Sequence, residues 1–302
     1  MSFREDLFQC IGRTPIFLLP RLSKSAGAQL FAKAEHLNPG GSVKDRVALD
    51  MVLDAEARGV LKPGSTLVEA TAGNTGIGLA WIAAARGYRF VAVMTEADRG
   101  PKTETMEAMG TEVVLLPKGP AWDSEDGALG VAARIAEERQ GLFLNQFENP
   151  ANPAAHEKTT AVEILEDLPD GLDALVVGVG TGGTATGLGR GLQPAWPDLR
   201  ILGVSAEGSY LGSELENDRI AGITPDFPPQ VFDPDLLTMV ETFTGEAAAE
   251  AAKRLMTLEG IPAGHSSGAL LLAAEAEAQR HPGSRILLLI CDGRNNYPGL
   301  GH

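Results

Sequence analysis

ALVVGVGTGGTATGLGRGL, residues 174–192, is an apolar run that breaks on a glycine-rich turn and continues into a helical stretch. A continuous apolar run without alternation is the pattern of a strand covered on both faces, as in a parallel sheet. The glycines after it admit two readings. They let backbone N–H groups at a helix N-terminus approach an anion such as a phosphate, with Thr181 and Thr184 adding hydroxyls. Or they let the helix pack closely on the sheet. Gly178, Gly180 and Gly183 also satisfy G-x-G-x-x-G, and Glu207 follows the next strand where a dinucleotide-binding fold keeps its ribose acid. A nicotinamide or flavin enzyme is therefore a competing reading.

Outward from this stretch the same strand–turn–helix order recurs. Apolar and β-branched runs predict strands at 30–34, 66–70, 89–95, 111–117, 142–147, 174–179, 200–206 and 285–291. Helical periodicity predicts helices at 44–58, 74–86, 102–109, 123–139, 154–166, 183–192, 246–258 and 267–280. This alternation is the βαβ pattern of an open α/β fold with mostly parallel sheets flanked by helices, whose ligands bind at the carboxyl ends of strands. Residues 208–235 are rich in Gly, Pro and Asp without a period and predict a long connection.

Composition narrows the function. The 302 residues carry a net charge of −15, which disfavours nucleic acid and anionic membrane surfaces as partners. An anionic ligand stays open, because backbone amides bind one locally. The two cysteines, Cys10 and Cys291, lie in no CxxC pair, so neither a disulfide framework nor a metal site is expected, and the usage fits a reducing cytoplasm. MSFREDLFQCIG at the start lacks the pattern of a signal peptide, and the apolar run ILLLIC at 286–291 is too short to span a membrane.

Four further stretches sit where strands end or helices begin. NPGGSVKDR, residues 38–46, places Lys44 at a helix N-terminus, where the helix dipole gives a cation nothing. Ser42 explains the helix start as a cap. Lys44 is then either an indifferent surface residue or one held near an anion or a carbonyl. EATAGNTGIGLA, residues 69–80, turns the amides, hydroxyls and carboxamide of Thr71, Gly73, Asn74 and Thr75 toward one point, which suits a carboxylate or a phenolic oxygen; the plainer alternative is a helix cap. PAGHSSGALLLAA, residues 262–274, offers Ser266 and Ser267 as caps, with His265 as a packing residue. NQFENPANPAAHEKTT, residues 145–160, sets Gln146 at a strand end, either to reach a ligand or to end the strand. His156, between Ala155 and Glu157, reads as solvated.

Taken together, IG-x-TP, NPGGSVKDR, T-x-GNTGIGLA, QF-x-NPANP-x-x-H-x-x-TT, GTGGT and SSGA resemble the cysteine synthase family in order and spacing over nearly the whole chain. These are fold type II pyridoxal-phosphate enzymes, tryptophan synthase β-like, that carry out β-replacement on serine derivatives. The sequence is most similar to the O-acetylserine sulfhydrylases, with the cystathionine β-synthases as the second branch. The resemblance decides against the nicotinamide reading.

It also implies roles. Lys44 matches the lysine that holds pyridoxal 5′-phosphate as an internal aldimine and later moves the Cα proton on the way to an α-aminoacrylate. Asn74 would bond the cofactor's phenolic oxygen. Gly180, Thr181, Gly182, Gly183 and Thr184 would cradle its phosphate, and Ser266 would meet the pyridine nitrogen. Thr71, Ala72, Gly73, Thr75 and Gln146 would take the substrate carboxylate. The implied reaction makes L-cysteine from O-acetyl-L-serine and sulfide. The alternatives are condensation of serine or an activated serine with homocysteine, or a non-catalytic relative that binds a partner. A cytoplasmic homodimer, able to bind serine acetyltransferase, is likewise implied. So are two lobes: a smaller one over 36–147 and a larger one over 1–35 with 148–302. Two departures stand out: Ala72 replaces the serine of TSGN, and CDGRNNYPG, residues 291–299, replaces the family's PDSGERY-like ending.

Overall fold

The computed structural model describes residue 4, residues 6–212 and residues 218–294. Its strands are β1 Ile16–Leu18, β2 Gln29–Lys33, β3 Thr66–Ala70, β4 Arg89–Thr95, β5 Glu112–Leu116, β6 Leu142–Phe143, β7 Ala174–Gly178, β8 Arg200–Ala206, β9 Met239–Phe243 and β10 Arg285–Leu289. The helices are α1 Pro20–Ala26, α2 Lys44–Ala57, α3 Asn74–Arg86, α4 Pro101–Ala108, α5 Ala128–Glu138, α6 Ala151–Ala155, α7 Ala161–Asp167, α8 Gly183–Leu192, α9 Gly245–Glu259 and α10 His265–Arg280.

The strands form two sheets. A six-stranded sheet runs β1-β2-β10-β7-β8-β9, and a four-stranded sheet runs β5-β4-β3-β6. All pairings are parallel except β1 with β2. The side-chain period of two explains the smaller sheet's two-sided core. On β4, Phe90, Ala92 and Met94 pack with Val47 and Met51 of α2 and Leu79 and Ile82 of α3; Val91 and Val93 face the other way, onto Ala128 and Ala132 of α5. In the larger sheet, Ile286, Leu287, Leu288 and Leu289 of β10 are 0% exposed, as an unalternating apolar run requires.

Several elements differ from the sequence expectation. The strand at 142–147 is only Leu142–Phe143, because Asn145 adopts a left-handed φ of 51° and turns the chain. The helix at 154–166 is instead α6, a π-helical turn at His156–Thr160, and α7. The helix at 123–139 starts only at Ala128. β1 and β9 were not expected; both are short edge strands, and β9 is exposed or half-buried along its length, so no apolar run marks it.

The glycines of α8 do permit close packing, but on neighbouring helices rather than on the sheet. A Cβ on Gly187 would strike the Pro153 carbonyl oxygen, so the helix lies directly on α6 and the π-turn. Gly182 opens α8 with a left-handed φ of +78°, beside the Phe232 ring.

A buried ionic cluster fastens the first helix of the smaller sheet to the larger one. Arg46 on α2 bonds Glu35 through Nε at 2.8 Å and Glu163 of α7 through Nη1 at 2.6 Å. Lys33 of β2 meets Glu163 at 2.9 Å, and the Thr14 hydroxyl donates to Glu35 at 2.6 Å.

Candidate active site

The carboxyl ends of β3 and β7 and the N-terminus of α2 open onto one cleft of about 710 Å³. Of the residues singled out in the sequence, Lys44, Thr71, Ala72, Gly73, Asn74, Thr75, Gln146, Gly180 and Thr181 line it. Gly182, Gly183, Thr184 and Ser266 are not among the lining residues; they form the turn and helix starts behind it.

Lys44 is the first residue of α2. Ser42, expected as the cap, stands one residue before the N-cap position, which Val43 occupies, yet its hydroxyl accepts the Lys44 N–H at 3.2 Å. Burial lowers the proton affinity of the Lys44 amine below that of an ordinary lysine, against the opposing pull of Cys291 and Asp292. An amine that gives up its proton readily is the form that attacks a carbonyl. Burial pushes the neighbouring Cys291 thiol up to about 12, with Asp292 adding to the shift, so this cysteine is no thiolate nucleophile at neutral pH.

The turn after β3 has a defined hydrogen-bond polarity. Thr71 Oγ1 accepts the N–H groups of Gly73 and Gly76, each at 3.2 Å. With both lone pairs used, the hydroxyl proton is what Thr71 can offer a ligand, and that suits an anion. Thr75 donates to Gln146 Oε1 at 2.6 Å, and Gln146 Nε2 donates to the Ala70 carbonyl at 3.3 Å. The Asn74 carboxamide donates to Asp292 Oδ2 at 2.7 Å. On α10, Ser267 accepts the Cys291 N–H at 3.0 Å, while Ser266, one residue earlier, is 3% exposed in the first turn.

His156 corrects the sequence reading. It is 0% exposed, not solvated: the π-turn rotates it inward while Glu157 and Lys158 stay exposed. Its ring nitrogens lie 3.0 Å from Thr160 Oγ1 and 3.2 Å from Thr184 Oγ1. Burial, with the Lys44 and Arg46 charges behind it, pushes the imidazole down to about 3, so it is neutral and braces the turn at Thr184.

Sequence reasoning missed Asp292, which holds Asn74 and lies 3.9 Å from Lys102 Nζ. It also missed Asp98, Lys102 and Trp122 of the outer rim, which Arg219 and Asp226 complete from the long connection expected at 208–235. The signal for Asp292 was its place just past the end of a buried parallel strand. Lys102 lies on α4 and the other rim residues on aperiodic segments, and only the fold brings them together.

A buried amine of lowered proton affinity beside a glycine-rich helix start is what a carbonyl cofactor bearing an anionic group needs. The pyridoxal-phosphate dependent enzyme family matches residues 7–292, and the chain belongs to that family. It is 42% identical to O-ureido-L-serine synthase of Streptomyces lavendulae, over 95% of this chain and 89% of that one. It is 39% identical to a cysteine synthase of Staphylococcus aureus, over 91% and 89%. Cystathionine beta-synthase of Apis mellifera is 40% identical over 97% of this chain, which spans 60% of that protein's length. A crystal structure of O-ureido-L-serine synthase superposes with a TM-score of 0.93 at 40% identity, covering 99% of this chain and 94% of that one. The family match leaves the G-x-G-x-x-G pattern without a dinucleotide role. Among the described residues, no helix is long and apolar enough to cross a membrane.

The donor set fits pyridoxal 5′-phosphate: an amine of lowered proton affinity, a Thr181 hydroxyl in the lining, and the N-terminus of α8, whose dipole favours a phosphate.

Proposed function

We propose that the protein catalyses β-replacement on O-acetyl-L-serine with sulfide to give L-cysteine. The carrying observation is Lys44, held at low proton affinity in a cleft shared by the turn after β3 and the turn after β7. The bound cofactor would supply an aldehyde for the substrate amine and an electron sink for charge left at Cα. Lys44 takes the proton from Cα as acetate leaves Cβ and returns it after the acceptor adds. Gly180 to Thr184 cradle the phosphate, Asn74 meets the phenolic oxygen, and Ser266 meets the ring nitrogen. Thr71 and the amides of Ala72 and Gly73 hold the substrate carboxylate. Thr75 and Gln146 complete that subsite by turning from each other to the ligand.

A second reading has its own support. The cleft continues outward to Asp98, Lys102, Arg219 and Asp226, more charged surface than sulfide needs. Homocysteine, a zwitterion, matches both signs. The test is product identification by mass spectrometry with O-acetyl-L-serine or L-serine as donor, and with sulfide, homocysteine or hydroxyurea as acceptor. Hydroxyurea is the acceptor that would give O-ureido-L-serine. Cysteine from the first pair supports the first reading; cystathionine formed in preference selects the second. No product from any pair overturns both.

The lobe division at 36–147 is supported by β3 to β6 forming one sheet and the other strands another. A cytoplasmic homodimer that binds serine acetyltransferase rests on the family resemblance.

A further inference from the structure

NPANP, residues 149–153, takes no part in the function argued above, yet it supplies a residue to the back of the phosphate turn. Asn152, on α6, is 0% exposed. Its carboxamide nitrogen donates twice, to the Gln146 carbonyl at 2.7 Å and to Thr181 Oγ1 at 3.0 Å. The Gln146 carbonyl can only accept, so the amide nitrogen, not the oxygen, must face it, and the orientation is fixed. Thr181 Oγ1 also accepts the Gly183 N–H at 3.3 Å. A hydroxyl has two lone pairs and one proton. Both lone pairs of Thr181 meet N–H donors, so only its proton remains for a ligand in the cleft that Thr181 lines. The other end of the amide explains Gly183. A Cβ there would fall on Asn152 Oδ1, so the glycine makes room for the asparagine.

We propose that Asn152 is a positioning residue that holds the Thr181 hydroxyl as an obligatory hydrogen-bond donor to a phosphate monoester in the cleft. Its bond to the Gln146 carbonyl ties the same setting to the strand end that carries the substrate side. The inference rests on reading residues 180–184 as the phosphate cradle. With alanine at 152, Thr181 regains a free lone pair and its proton is no longer directed. With aspartate, the new carboxylate draws that proton away from the ligand and sets a negative charge beside the phosphate.

The experiment measures the dissociation constants of pyridoxal 5′-phosphate and of inorganic phosphate for apoprotein by equilibrium dialysis. The proteins are wild type, Asn152→Ala, Asn152→Asp and Thr181→Val, with each Asn152 variant also combined with Thr181→Val. Apoprotein melting temperatures report on the fold. Asn152→Ala should weaken both ligands about tenfold, or 1.4 kcal/mol, and Asn152→Asp should weaken them further. In the Thr181→Val background the same changes should have less than about a twofold effect, because the group they act through is gone. Equal losses in both backgrounds would overturn the proposal while leaving the cradle in place. A Thr181→Val protein that binds both ligands like wild type would remove the cradle itself. If the Asn152 variants do not fold, the wild-type protein decides. The Asn152 side-chain amide resonances should shift on adding inorganic phosphate, and resonances that do not move contradict the inference.

Discussion

Arg46→Met removes the centre of the buried ionic cluster and leaves two carboxylates, Glu35 and Glu163, without their main partner. Glu35 is 0% exposed and Glu163 8%. Breaking such a cluster from one side costs about 3–5 kcal/mol, since a buried charge is left uncompensated. At an unfolding entropy of about 2.1 cal/mol/K per residue over the whole chain, that loss lowers the melting temperature by roughly 5–8 °C. The pH dependence gives the prediction its sign. Against the cost of burial, Arg46 holds both carboxyls below their ordinary values, Glu163 at about 2 against 4.5. Groups held down in this way contribute stability that is present above the unfolded value and lost as pH falls through the folded one. In Arg46→Met the carboxyls protonate readily, so the gap from wild type should be widest near about pH 8 and narrow toward about pH 4. Differential scanning calorimetry at both pH values reads it. A gap of about 1 °C, or one that does not change with pH, would refute the reasoning. Because α2 begins at Lys44, the same variant should also bind cofactor more weakly.

Other changes have definite directions. Gly187→Ala should destabilise by about 1–3 kcal/mol despite alanine's better helix propensity, because its Cβ would meet the Pro153 carbonyl; thermal melting checks it. Burial raises the Glu69 carboxyl to about 8, so above its unfolded value the native state binds the extra proton and stability falls as pH rises to about 8. Glu69→Gln should therefore melt above wild type at about pH 9 and approach it toward about pH 4, below the unfolded value, where the wild-type carboxyl is mostly protonated folded or unfolded. Ala72→Ser adds a hydroxyl beside the proposed carboxylate subsite. It should lower KM for the amino-acid substrate by about tenfold, the worth of a hydrogen bond to a charged group, with kcat little changed in steady-state assays.

The fold was legible where chemistry leaves a repeating mark. The unalternating runs LVVG and RILLL fixed two interior strands of the larger sheet, and the glycine-rich turn placed the start of α8 correctly. β9 was not legible, because an edge strand buries little and needs no apolar pattern. The π-turn was not legible either. HEKTT is polar at most positions, and the turn is expressed through the contacts His156 makes with Thr160 and Thr184 once packed. In the cleft, residues on strand–turn–helix junctions were readable because such junctions present amides and hydroxyls together. Asp292, which holds Asn74, and the rim at Asp98 and Trp122 come from segments far apart in sequence, and their convergence is a property of the two sheets.

The central claim is that Lys44 carries the cofactor. Reduction of the reconstituted protein with borohydride, followed by peptide mapping, fixes the pyridoxyl group to whichever lysine holds it. The account predicts the added mass on the peptide containing Lys44, and none on that position in Lys44→Ala. Labelling of Lys102, the other lysine in the cleft, or of no lysine at all, would contradict it.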